Sequence, residues 1–215
     1  MFEISNNVVP TTVLIQFAKW PEAGRVKTRL IPALGVQGAL DAHCRLTLTV
    51  LGHLLASGRA VEFWWDRALA QPPASARPVV SEVRAASLVE NVQMGADLGA
   101  RMHQALAQSL QTRDKVLIIG SDCPSVDAPY IEAALAALDH SDAVIGPSED
   151  GGYVLLGARR VAEGMLVDIE WGSARVLGQT CERMTACGLT YQLLEPRWDV
   201  DEAEDWERFV RQPPA

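Results

Sequence analysis

The chain has 215 residues, 48% of them hydrophobic and 21% charged, and a formal net charge of -8. That length suits a single domain over residues 1–215 with a core of its own. The acidic balance excludes a broad nucleic-acid or anionic-membrane face, and no apolar run is long enough to span a bilayer. Four cysteines have neither metal-ligand spacing nor the density of a disulfide scaffold, so the expected setting is reduced and cytoplasmic. The first residues lack a basic segment followed by an apolar one, so no signal peptide is expected.

After a polar tail, residues 12–18 read as a buried first strand. The stretch FAKWPEAGRVKTRL follows and offers Lys19, Arg25, Lys27 and Arg29 in one loop bent by Pro21 and Gly24. At the carboxyl end of a strand in an open α/β sheet, such a loop faces the ligand crevice. Lysine brings a point charge to a phosphate and arginine a planar fork. A solvated basic loop paired with acidic neighbours is the alternative. Pro32 and Gly35 delay the next helix to 36–56, and residues 60–65 read as a second strand. Residues 66–78 read as loop, and 79–93 as short β segments or loop.

A helix is predicted from Gly95 to near Gln111, with Asp97 as its cap and Arg101 as its partner. Val116-Leu117-Ile118-Ile119 is short, continuous and apolar, as a strand covered on both faces should be. It runs into Gly120-Ser121-Asp122-Cys123-Pro124. Asp122 is thereby a carboxylate at the mouth of a buried strand, suited to magnesium or manganese. It could instead cap the following helix, although Asp127 is the better cap for residues 128–138.

Strands at 142–146 and 153–157 flank Glu149-Asp150-Gly151-Gly152. Asp150 there either orients or deprotonates an acceptor hydroxyl, or simply belongs to an Asp-Gly hairpin turn. Ser173 is expected to cap a helix that Gly188 stops, followed by a strand at 189–194. Alternation along Trp198-Asp199-Val200-Asp201 puts both carboxylates on one side, where they could complete a metal shell begun by Asp122. Asp201 is also the expected cap of the terminal helix, with Glu204 in capping-box position. Trp20 and Trp171 lie in loop-like contexts where stacking on a base or sugar is conceivable. Strands alternating with helices predict an α/β sandwich with a mainly parallel sheet.

Together, FAKWPEAGRVKTRL, QMGADLGARM, IGSDCPS, GPSEDGGYVLLG, IEWGSARVLGQT and WDVDEAEDW resemble the rSAM/selenodomain-associated transferase family, also described as arsenosugar-biosynthesis glycosyltransferase-like. The resemblance implies a GT-A, or nucleotide-diphospho-sugar transferase, fold: a three-layer α/β/α sandwich. It places Lys19, Lys27 and Arg29 on nucleotide phosphates and Gln93 and Gly95 near the base. It makes Asp122 the first metal carboxylate, with Asp199 or Asp201 as a second. Ser-Asp-Cys-Pro departs from a literal DxD motif, so the second ligand must come from elsewhere. The expected activity is metal-dependent transfer of a sugar from a nucleotide sugar to a small-molecule acceptor, with Mg2+ or Mn2+ as cofactor. The alternatives are a guanylyltransferase-like nucleotidyltransferase releasing pyrophosphate, and a non-catalytic nucleotide-binding protein.

Overall fold

A computed structural model describes residues 11–212; the predicted polar tail and the Pro213-Pro214 end lie outside them. Seven strands form one sheet in the order β3-β2-β1-β4-β6-β5-β7. They are β1 (Thr12–Ala18), β2 (Ala60–Trp65), β3 (Val89–Val92), β4 (Lys115–Gly120), β5 (Ala143–Pro147), β6 (Tyr153–Ala158) and β7 (Tyr191–Leu193). Only β6 runs against the others, returning antiparallel to both β4 and β5. The helices are α1 (Ile31–Ala56), α2 (Arg77–Ala85), α3 (Leu98–Ser109), α4 (Ala128–Ala137), α5 (Val176–Ala186) and α6 (Ala203–Arg211). Among the described residues, no helix is long and apolar enough to cross a membrane.

The period-two pleat sends alternate side chains to opposite faces. On β1, Leu14 and Ala18 join a core with α1, α2 and α4, while Val13, Ile15 and Phe17 join one with α3 and α5. This is the predicted three-layer α/β/α sandwich with a mainly parallel sheet. The chain winds outward from β1 through β2 to β3, then crosses to β4 on the other side of β1. That reversal opens a crevice at the carboxyl ends of β1 and β4, where an open α/β sheet binds its ligands.

A third cluster sets the late segment. Trp198 and Val200 pack with Leu30, Leu46 and Phe209 between α1 and α6. The Val200 backbone N–H donates to the Asp122 carbonyl at 3.0 Å, and Ser125 donates to the Trp198 carbonyl. Residues 198–201 are thereby fastened across the end of β4.

Several elements differ from expectation. Residues 77–85 are helical, not β or loop, because Val79, Val80 and Val83 bury one face in the α1 core and outweigh weak valine helix propensity. A helical turn already begins at Ile31, and the expected delay is a kink where Gly35 takes a left-handed φ of 71°. Ser173 lies in a turn before α5, whose N-cap is Arg175 without a side-chain bond. Arg101 reaches the Gly95 carbonyl at 3.3 Å, whereas Asp97 caps α3 as expected. The terminal cap is shifted by one residue: Glu202 and Asp205 form the capping box of α6, leaving Asp201 outside it.

Candidate functional site

The site lies where β1, β4 and the 198–201 segment meet. Lys27 is its centre. Its backbone adopts the left-handed conformation, φ 44° and ψ 45°, which costs a residue bearing a Cβ about 1–2 kcal/mol. Such strain persists where surrounding contacts over-determine it. Here the contacts are complete: Lys27 Nζ donates to Asp122 Oδ2 at 2.9 Å, Asp201 Oδ1 at 2.9 Å and the Val200 carbonyl at 2.5 Å. All three ammonium hydrogens are committed to protein oxygens, and the side chain is only 8% exposed. Arg29 reaches the other Asp201 oxygen at 3.2 Å.

These contacts set the acids apart. Burial alone would raise the Asp122 carboxyl, but the Lys27 charge and hydrogen bond, with help from the Cys123 thiol, hold it down at about 2. For Lys27, burial works against the charged form, yet Asp122 and Asp201 raise its pKa above the ordinary lysine value. Among the described residues, Asp199 forms no ion pair with a lysine or arginine. Burial and the neighbouring charges of Asp122, Asp201 and Asp150 push its carboxyl up to about 7.

Oxygen atoms of Asp150, Asp199 and Asp201 lie within 4.8 Å of one another. Three hard oxygen donors with a shortage of positive charge fit magnesium or manganese. This triad differs from the predicted set, since Asp150 joins it while Asp122 faces Lys27. Asp150 sits in the β5–β6 hairpin turn, where Ser148 and the Gly152 N–H at 3.0 Å both donate to its Oδ1. The turn closes through Gly151, whose φ of 92° a side chain would strain. The hairpin and the functional reading of Asp150 are therefore compatible.

Two clefts join at this centre. The first, about 430 Å³, is lined by Lys19, Arg25, Lys27, Arg29 and Gln93, with Asp122 and Asp201 at its inner end. The second, about 310 Å³, contains Asp150 and Asp199 and shares Arg29, Asp122 and Asp201 with the first. Gln93 is buried and donates its amide to the Trp64 carbonyl at 2.9 Å, stitching the strand ends together. Gly24 shapes the basic loop with a φ of 74°, and Gly95 supplies its carbonyl to Arg101; neither lines either cleft.

Trp20 is 6% exposed, stacks on Trp65 at 3.6 Å and donates to the Arg67 carbonyl, so it is packing rather than a ligand platform. Trp171 does line the second cleft, its ring edge-on to Tyr153 at 6.3 Å. Two supports went unsingled in the sequence. Burial pulls the pKa of His43 below the ordinary histidine value, and its Nε2 lies 3.0 Å from the Lys19 carbonyl. Gln16 donates to Ser121 Oγ at 3.0 Å, which in turn donates to the Phe17 carbonyl and ties β1 to β4 beside Asp122. A glutamine within an otherwise apolar strand was the available signal for that tie.

The chain is similar to several solved structures. A Desulfovibrio desulfuricans protein, named for an inferred nucleotide-diphospho-sugar transferase activity, is 29% identical with a TM-score of 0.83, over 94% of this chain and 87% of its own. A Methanothermobacter nucleotidyl transferase is 14% identical with a TM-score of 0.62, over 93% and 95% of the two chains. Rv0371c from Mycobacterium tuberculosis, crystallised with manganese, is 17% identical with a TM-score of 0.52, over 95% and 100%. The fold is thus that of nucleotide-diphospho-sugar transferases and nucleotidyltransferases. No curated protein matches the sequence. A family model matches residues 56–173, more than half of the chain, and the chain belongs to that family, described as uncharacterized protein conserved in bacteria (DUF2064).

Proposed function

We propose that this protein is a metal-dependent transferase that moves a sugar from a nucleotide-sugar donor to a small-molecule acceptor. The observation that carries the reading is the junction of a basic cleft and an acidic cleft at Asp122 and Asp201. A donor diphosphate fits the first, where Lys19 and Arg25 are exposed and Lys27 and Arg29 hold positive charge at the inner end. Asp199 and Asp201, with Asp150 beside them, are the residues that would hold a divalent cation. Such a cation supplies charge that offsets both the carboxylates and the diphosphate.

In the transfer, the acceptor oxygen bonds to the anomeric carbon and the bond from that carbon to the phosphate oxygen breaks. The electron pair leaves with the nucleoside diphosphate, within reach of the basic loop. Asp150, exposed in the second cleft, would orient the hydroxyl and take its proton. The resemblance to a MnII-bound neighbour and to an inferred sugar transferase supports this reading through the fold.

The test is calorimetric titration of nucleotides and nucleotide sugars with and without manganese, followed by product analysis. Release of a nucleoside diphosphate is expected, whereas pyrophosphate would identify a nucleotidyltransferase. Asp199→Asn should weaken manganese-dependent nucleotide binding by about tenfold or more. Unchanged affinity in that variant would remove Asp199 from the cation site.

A further inference from the structure

We infer that the second cleft accepts an uncharged or cationic alcohol with an apolar face, and excludes phosphorylated acceptors. The inference rests on the reading of the first cleft as the donor site, and it concerns the charge and shape of the other. Four carboxylates line the second cleft: Asp122, Asp150, Asp199 and Asp201. Among the described residues, Arg29 is the only lysine or arginine lining it. Arg29 is shared with the first cleft, reaches Asp201 at 3.2 Å and lies 3.7 Å from Glu202, so once it serves a donor diphosphate a second phosphate finds no cationic side chain of its own. Lys27 offsets Asp122 and Asp201 but has no free hydrogen to offer.

One divalent cation would bring the four carboxylates, Arg29 and Lys27 to formal neutrality, and a donor diphosphate at the junction would then make it negative. A phosphate monoester entering there meets like charge at the carboxylate end of the cleft, with no fork of arginines to compensate it. Nucleotidyl transfer to a phosphorylated acceptor needs the opposite lining. The charge inventory therefore separates the two transfer chemistries that share this fold.

Much of the remaining wall is apolar. Leu98, Met102, Tyr153, Leu156, Trp171 and Val176 surround the cleft, and its volume of about 310 Å³ suits a small molecule. Trp171 is fixed there by a close approach of backbones. A Cβ on Gly99 at the start of α3 would lie 2.3 Å from the Leu166 carbonyl and 2.8 Å from the Trp171 ring. The absent side chain lets the 166–171 segment press onto α3 and sets the indole at the cleft wall. An aromatic wall opposite a carboxylate cluster favours a ligand with one apolar side and a hydroxyl on the other.

The experiment uses the wild-type protein with manganese and a nucleoside diphosphate present. Three probes on one scaffold are titrated by calorimetry: a phenyl glucoside, the same glucoside with a phosphate monoester replacing its primary hydroxyl, and its amino-sugar analogue. The phosphorylated probe should bind at least about tenfold more weakly than the other two. Asp150→Asn should narrow that gap, and Trp171→Ala should weaken all three several-fold without changing their order. Equal or tighter binding of the phosphorylated probe overturns the inference, and so does failure of all three to bind. Nucleoside diphosphate binding is measured in the same preparations. If it is absent while the probes keep the expected order, the donor reading falls and the charge selectivity of this cleft stands.

Discussion

Lys27 has two opposed tasks that its contacts resolve. It is a cation in a left-handed backbone, enclosed by two carboxylates and a carbonyl, and each of those oxygens would be left without its partner if the ammonium were removed. Lys27→Met keeps the length of the stem and deletes only the charge. We expect a loss of about 2–4 kcal/mol in urea denaturation, since breaking one side of a mostly buried pair leaves uncompensated charge. Manganese should restore part of that loss, and more than it stabilises the wild type. An unchanged urea midpoint would mean that Asp122 and Asp201 do not depend on Lys27. Asp199 gives a second expectation, with a definite sign. Its carboxyl is pushed up to about 7 in the folded state, so the folded protein binds its proton more tightly than the unfolded chain. That contribution to stability is full below the ordinary carboxylate range and is lost as pH rises toward about 7. The melting temperature of the wild type should therefore fall relative to Asp199→Asn by about 5–10 °C between pH 5 and 8. Saturating manganese should remove the difference. A difference that grows in the opposite direction would contradict the burial and like-charge account of Asp199. The basic loop and the separated acids were legible in the sequence because their residue types are conspicuous against apolar strands. That Lys27 would be enclosed by the acids, not held open to a ligand, was not legible, since it depends on a left-handed turn at a residue that rarely adopts one.

The late segment shows how an element's register decides a site. Aspartate is a better helix cap than glutamate, so Asp201 with Glu204 was the natural choice from sequence. Tertiary contacts override it: Lys27 and Arg29 hold Asp201, and the cap passes to Glu202 with Asp205. Asp205 accepts from the backbone N–H of both Asp201 and Glu202, at 3.1 and 2.8 Å, so it also fixes the site carboxylate. Asp205→Ala should cost about 1 kcal/mol in chemical denaturation, whereas Glu204→Ala should stay within about 0.5 kcal/mol of the wild type. Equal costs would return the cap to the other register. The same limit explains α2, whose valines read as a strand until α1 supplies a surface for one of its faces. Central strands escaped the ambiguity because β1 and β4 are apolar on both faces, a pattern that only a sheet covered by helices satisfies over so few residues. Gly99 gives the element-scale test of the second cleft's wall. Gly99→Ala forces α3 away from the Leu166 carbonyl and the Trp171 ring, and should cost about 1–3 kcal/mol as overpacking does.

At the scale of the molecule, the sheet reversal at β1 and β4 brings together groups separated by most of the chain: the basic loop after β1, Asp122 after β4, Asp150 between β5 and β6, and Asp199 and Asp201 before α6. The alternation of strands and helices made that convergence predictable in outline, and a hairpin turn at Asp150 implied β6 antiparallel to β5, but the insertion of β6 between β4 and β5 was not readable, since its apolar residues do not say which strands flank it. Convergence has a thermodynamic consequence. If nucleotide and cation occupy one continuous site, each raises the affinity for the other by the same factor, because the coupling free energy is reciprocal. Either ligand at a hundred times its dissociation constant stabilises the folded state by about 2.7 kcal/mol, or about 5–10 °C for a chain of this length. Manganese and a nucleoside diphosphate together should therefore raise the melting temperature by more than the sum of their separate shifts. Asp201→Asn, which removes a carboxylate shared by both clefts and by Lys27, should reduce the combined shift to the sum or below. Strictly additive shifts in the wild type would separate the cation from the nucleotide and leave the basic loop without a role in a joint site.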